Sequence, residues 1–187
     1  MDTVRYSPLF EESASRIELI VRFVWAVPLG IGLFFLGLLS EYILIPANLL
    51  LALLLGKRFE GLAKFIHNFV LTHSFNSFSY LFLLTDERAP ILPTQMATTR
   101  FDYVFNEPAS RLEVLIRILY LIPMFIVSGI LLLIFEFAYA LQWLIILVTG
   151  RRNKAIWDYE SLTLRYNLEL AYYGTGLTDE RPAIIPQ

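Results

Sequence analysis

RFVWAVPLGIGLFFLGLLSEYILIPANLLLALLLGKR, residues 22–58, decides how this chain is read. Between Phe23 and Leu55 the only ionisable side chains are Glu41 and Tyr42. One upright membrane span takes about 20 apolar residues, so the run is too long for one crossing and long enough for a tight hairpin of two. Spans over 22–39 and 42–55 are therefore expected, with Ser40 and Glu41 at the turn. A carboxylate there meets water, whereas at mid-bilayer it would cost on the order of several kcal/mol. A single long tilted or broken helix is the alternative.

The stretch has a second edition. Ser15-Arg16-Ile17-Glu18, Arg22, Pro28 and Glu41 recur at the same spacing as Ser110-Arg111-Leu112-Glu113, Arg117, Pro123 and Glu136. Each copy runs on to Gly56-Lys57-Arg58 or Gly150-Arg151-Arg152 and closes on Leu84-Thr85-Asp86-Glu87-Arg88 or Leu177-Thr178-Asp179-Glu180-Arg181. The second hairpin then comprises spans over 118–134 and 137–149. The expected units are residues 6–93 and 101–187, joined by a linker at 94–100. Ser15 with Glu18, and Ser110 with Glu113, fit a helix-starting capping box. Glu18 to Arg22 and Glu113 to Arg117 are i,i+4 pairs in the favourable order.

Composition agrees with a membrane class. Of 187 residues, 57% are hydrophobic and 17% charged, whereas soluble domains carry roughly a quarter charged residues. A formal net charge of −2 gives no electrostatic footprint for nucleic acid. Without cysteine there is no disulfide, thiolate metal site or thiol nucleophile. Residues 1–12 are polar and contain acids, unlike a secretory signal. Arg16, Arg22, Lys57, Arg58 and Lys64 flank the first hairpin, and Arg111, Arg117, Arg151, Arg152 and Lys154 the second, so the positive-inside rule puts both termini on the cytoplasmic side.

Beyond each hairpin the pattern turns amphipathic. Ile156, Tyr159, Leu162, Tyr166, Leu170 and Tyr173 follow three- and four-residue steps, and Leu62, Phe65, Ile66, Phe69 and Val70 do so less regularly. Helices lying on the cytoplasmic surface are expected. The Thr-Asp-Glu-Arg motifs, followed by Pro90 and Pro93 or Pro182 and Pro186, read as extended surface segments.

Arg22, Pro28, Gly56-Lys57-Arg58 and Leu84-Thr85-Asp86-Glu87-Arg88-Ala89-Pro90, echoed by Arg117, Pro123, Gly150-Arg151-Arg152 and Leu177-Thr178-Asp179-Glu180-Arg181-Pro182, resemble the prokaryotic membrane family called domain of unknown function 4389. Both copies match over nearly the whole chain; Arg88 and Arg181 stand where that family usually has an aromatic residue. The resemblance implies an all-α integral membrane protein, two tandem hairpins each followed by an interfacial helix, in a prokaryotic cytoplasmic membrane. It implies no reaction and no cofactor.

Arg22, Arg117, Lys57, Arg58, Arg151 and Arg152 are the candidates for binding lipid phosphates or a partner's carboxylates, against the plainer reading of snorkelling, orienting cations. Glu41 and Glu136 read as solvated turns. Asp86, Glu87, Asp179 and Glu180 are weighed as a divalent-cation cluster and read as ordinary acidic turns. His67 and His73, six residues apart, are poorly placed to chelate on one helix. With no nucleophile elbow, phosphate-binding loop or metal cluster in the sequence, the expectation is a non-catalytic accessory or scaffold subunit that contacts anionic lipid and docks a larger membrane complex or another copy of itself. A lipid-binding or small-solute transport protein using a cleft between the copies is the alternative.

Overall fold

The computed structural model describes residues 1–187 except Asp2, Pro93, Gln95 and Gln187. The helix-breaking role given to Pro93, the unit boundaries at 93 and 187, and Gln95 of the linker therefore lie outside the described residues.

The two hydrophobic runs fold as two long helices, and four transmembrane helices are not formed. The first is α1 (Arg16–Leu39), a π-helical stretch (Ser40–Leu44) and α2 (Ile45–Leu55), in unbroken succession. Two shorter helices follow it, α3 (Glu60–Phe65) and α4 (His73–Leu81); the second long helix is α5 (Arg111–Thr149), and α6 (Lys154–Gly174) is the last. Both long helices are long and apolar enough to cross a membrane, at 40 and 39 residues.

 Ser40 and Glu41 do not turn the chain, because neither residue breaks a helix and no glycine stands beside them. Pro28 and Pro123 both lie inside helices that continue past them.

The π-helical stretches have a cause in residue count. Gly56 stands fifteen residues after Glu41, but Gly150 only fourteen after Glu136. The surplus residue is taken up at Ser40–Leu44 as a wider turn, just ahead of Pro46, which has no N–H to give. The same happens again downstream. Leu84 follows Gly56 by twenty-eight residues and Leu177 follows Gly150 by twenty-seven, and a second π-helical stretch, Ile66–Thr72, joins α3 to α4, whereas α6 is α-helical throughout. Each wide turn restores the register of the contacts beyond it.

The long helices run antiparallel. Arg16 Nη2 donates to the Val148 carbonyl at 2.6 Å, and Arg111 Nη2 to the Leu54 carbonyl at 2.9 Å, so each helix start lies against the other helix's end. Both helices end on glycine in the left-handed region, Gly56 at φ 67° and Gly150 at φ 69°, where a side chain would be strained.

Beneath them lies a body made of α3, α4, α6 and a two-stranded sheet, which departs from the all-α expectation. Strand β1 (Val4–Pro8) pairs antiparallel with β2 (Thr99–Tyr103), so Thr99 and Arg100 of the expected linker are strand residues. Alternation drives it: Val4 and Tyr6 are buried between exposed Arg5 and Ser7, and Arg5 sits opposite Asp102. The main core joins Val4, Tyr6, Ile66, Phe75, Trp157 and Leu168, with Leu36, Leu44 and Phe135 from the middles of the long helices packed against it.

Helix α6 is not a surface helix. Besides Tyr166, Leu170 and Tyr173 it buries Trp157, Glu160, Thr163, Leu168 and Tyr172, because it lies between α5 on one side and the sheet on another. The apolar surface is elsewhere. Ile17, Ile20, Val24, Val27, Phe34 and Tyr42 on the first long helix, and Ile118, Phe125, Leu133, Phe137, Leu144 and Val148 on the second, stand exposed along the whole length of both.

Removing one residue from the first wide turn, by deleting Ile43, should leave an ordinary α-helix in the register of α5 and change Tm by less than about 5 °C. Deleting Ala138 from α5 shifts the following residues by about 100° around the helix axis and should lower Tm by more than about 10 °C. Thermal unfolding of the two deletions in detergent compares them directly.

Candidate functional site

Four of the six candidate cations are inside the protein. They form two clusters, one at each end of the helix pair, and each cluster takes one arginine from each half of the chain.

Arg22 is on α1, its side chain directed at the loop after α4. Its Nη2 donates to the Thr85 carbonyl at 2.9 Å and to Asp86 Oδ1 at 3.2 Å. Arg152, just beyond the end of α5, reaches the same Oδ1 with its Nη2 at 2.5 Å. Its Nε donates to the Leu83 carbonyl at 2.7 Å and its Nη1 to the carbonyls of Glu11 and Ser13 at 3.1 and 2.7 Å. At the other end Arg117 Nη2 donates to the Thr178 carbonyl and to Asp179 Oδ1, both at 3.0 Å. Arg58 Nη2 lies 2.5 Å from that Oδ1, its Nε donates to the Gly176 carbonyl at 2.7 Å, and its Nη1 to the carbonyls of Asn106 and Pro108.

Local backbone shape serves these bonds. Leu83 has φ 67° and Gly176 φ 80°, and in each the left-handed residue offers its carbonyl to the incoming arginine. For a leucine that conformation costs about 1–2 kcal/mol. Arg22 also lies over the Tyr80 ring at 4.7 Å and Arg117 over the Tyr173 ring at 4.8 Å, contacts worth about 0.5–2 kcal/mol each.

The aspartates do a second task. Asp86 Oδ2 accepts from the Ser15 N–H and Asp179 Oδ2 from the Ser110 N–H, each at 2.8 Å. Only half of each capping box therefore forms. Ser15 Oγ and Ser110 Oγ accept from the N–H of Glu18 and Glu113, but the glutamates turn away, Glu18 to Arg88 and Tyr80 and Glu113 to Arg181 and Tyr173. The expected pairs between Glu18 and Arg22, and between Glu113 and Arg117, give way to the aspartates because these sit where buried guanidinium groups need a counter-charge.

The remaining two candidates lie at the surface. Lys57 Nζ is 3.3 Å from Glu107 and Arg151 Nη1 is 3.5 Å from Glu12, exposed pairs of the sort worth about 0–1 kcal/mol. Asp86 and Asp179 do not gather with Glu87 and Glu180 around a cation: Glu87 accepts from Ala97, Thr98 and the Thr98 hydroxyl, and Glu180 from Thr3. Among the described residues no group of three or more His, Asp or Glu side chains could hold a metal ion. His67 Nδ1 is hydrogen-bonded to the Tyr172 hydroxyl, and His73 is buried on α4. Glu41 and Glu136 are exposed mid-helix.

Sequence reasoning missed the aspartates as partners of the arginines and missed Glu160. Equal spacing of Asp86 and Asp179 from the end of each motif was the available signal. Glu160 is fully buried with neither carboxylate oxygen bonded among the described residues, and burial pushes its carboxyl up to about 8 while Arg152 and Arg22 pull it down.

Asp86→Asn should leave Arg22 and Arg152 buried without a carboxylate and destabilise the fold by about 3–5 kcal/mol, as should Arg152→Met. In a double-mutant cycle read by unfolding in detergent, the pair together should cost clearly less than the sum of the two.

The sequence family described as Domain of unknown function (DUF4389) matches residues 111–185. No curated protein and no solved structure matches the chain. The matched stretch runs from the start of α5 through α6 and the second Thr-Asp-Glu-Arg motif, so the match takes in one copy of the unit, the second, and not the two tandem copies expected over nearly the whole chain.

Proposed function

We propose that this protein is a non-catalytic accessory or scaffold subunit of a prokaryotic cytoplasmic membrane, built from two copies of one unit and embedded in a single leaflet. The observation that carries the reading is the direction of its polar and apolar groups. The arginines that could have bound an outside ligand are tied to Asp86 and Asp179 within the fold, and exposed apolar side chains run the length of both long helices.

The same geometry supports helices lying along the membrane. Each is about 60 Å long at 1.5 Å per residue, about twice the hydrocarbon thickness. Both ends and the middle of each rest on the polar body, through the arginine clusters and through Leu36, Leu44 and Phe135. An upright crossing would drag that body into lipid, where its charged groups are costly. A helix pair lying flat keeps the apolar stripe in the leaflet and leaves the body, with both termini, on the cytoplasmic side to dock a larger complex or a second copy.

The transport reading has less support. Arg22 and Arg117 do not face one another across a cleft, since Arg22 lies beside the end of α5 and Arg117 near its start, about 40 Å apart along that helix.

Membrane fractionation with a high-salt wash, followed by mild detergent, tests the proposal. The chain should stay with the membrane through the wash and leave it in a discrete assembly larger than one chain. Phe34→Glu combined with Phe137→Glu should shift it to the soluble fraction. Release of the unchanged protein by salt, or a solitary chain in every mild detergent, contradicts the proposal.

A further inference from the structure

Each long helix carries a single carboxylate within its outward apolar stripe, at the same place in both. Glu41 stands 25 residues after Arg16 and Glu136 stands 25 after Arg111, the first residues of their helices. Both are exposed, and neither is ion-paired or hydrogen-bonded among the described residues. Steps of three and four residues back from Glu41 reach Leu38, Ile31 and Val24, and the same steps back from Glu136 reach Leu133, Ile126 and Leu119, all six of them exposed. The carboxylates therefore lie on the stripes themselves.

This charge pattern decides what covers the stripes. From Phe23 to Leu55 and from Ile118 to Val148 there is no lysine or arginine. A second copy laid face to face on the stripes would bury four carboxylates in an apolar contact with no cation among them, a burial without compensation. A lipid leaflet meets both needs at one depth. At the level of the headgroups the carboxylates stay hydrated, while the apolar side chains around them reach the start of the acyl chains.

The same pattern fixes that depth. Because the helices run antiparallel, the two carboxylates lie about 20 Å apart along the pair, one on each helix. Neither half of the pair can sink into hydrocarbon without carrying a charge with it. Two helices about 60 Å long and about 10 Å apart occupy on the order of 1,000 Å² of one leaflet. Material held at headgroup depth in one leaflet spreads the headgroups more than the tails beneath them, and a membrane curved towards that leaflet accommodates it best.

We propose that Glu41 and Glu136 hold the helix pair at headgroup depth and that the protein thereby selects a lipid surface that is convex on the side it enters. The inference rests on the membrane reading above and adds to it the shape of the surface bound.

The test delivers the full chain, with a fluorophore on Asp158→Cys, from detergent to preformed vesicles of mixed size and reads protein per membrane area on single vesicles. Density should be at least about threefold higher on vesicles about 50 nm across than on those about 400 nm across. Replacing both glutamates by leucine should let the helices sink and abolish that preference without loss of binding, whereas replacing both by aspartate should preserve it. All these side chains are exposed, so both double variants should unfold at the wild-type temperature. Equal density on all sizes, a preference that survives the double leucine change or is lost in the double aspartate variant, or a stoichiometric disulfide between chains carrying Glu41→Cys overturns the inference. Any of these with the protein still on vesicles leaves the membrane reading standing, whereas failure of the unaltered helices to bind vesicles of any size removes both.

Discussion

At each end of the molecule one carboxylate holds two buried arginines that come from distant parts of the chain, and the rest of the architecture follows from that arrangement. Arg152 arrives at Asp86 from the end of α5, and Arg58 arrives at Asp179 from the end of α2. Neither half can close its own cluster. The arginine supplied by one half fixes the helix start, the left-handed turn and the Thr-Asp-Glu-Arg loop of the other, so the two halves fold around each other. Removing one partner from such a cluster leaves a buried charge without compensation, which is why these sites couple so strongly to stability.

The clusters also set the attitude of the long helices. Because the helix ends are anchored to the body, and because the middles pack against its core, the helices lie along the body. Their outward faces remain apolar over the full length. Surface of that extent and character marks a contact with lipid or with another protein. Lipid is the reading proposed.

Much of this could be read from the sequence, and what could not has identifiable causes. Recurrence of Arg22 and Arg117, of the Gly-Lys-Arg and Gly-Arg-Arg steps and of the Thr-Asp-Glu-Arg motifs pointed to the residues that matter. The hairpin expectation failed at Ser40 and Glu41, because cost to a buried charge was weighed for an upright helix, and in a helix with one face open Glu41 is exposed without any turn. The interfacial helices failed because periodicity on one face of α6 was clear, but the sheet that covers another face is made by residues far away in sequence. The role of the arginines was hidden for a related reason. Their near neighbours Glu18 and Glu113 offered plausible partners, and only the fold brings Asp86 and Asp179 within reach. The one-residue differences in spacing were legible throughout, yet their expression as wide helical turns required the register of the contacts beyond them.

The chain has no cysteine, so single cysteines can be placed at will. The most direct measurement labels Glu41→Cys, Lys57→Cys and Asp158→Cys with a membrane-impermeant thiol reagent, in sealed vesicles of each orientation. If the long helices lie flat in one leaflet, all three positions react from the same side. Reaction of Glu41→Cys from the face opposite to Lys57→Cys and Asp158→Cys would mean that the first long helix crosses the bilayer, and would contradict the account.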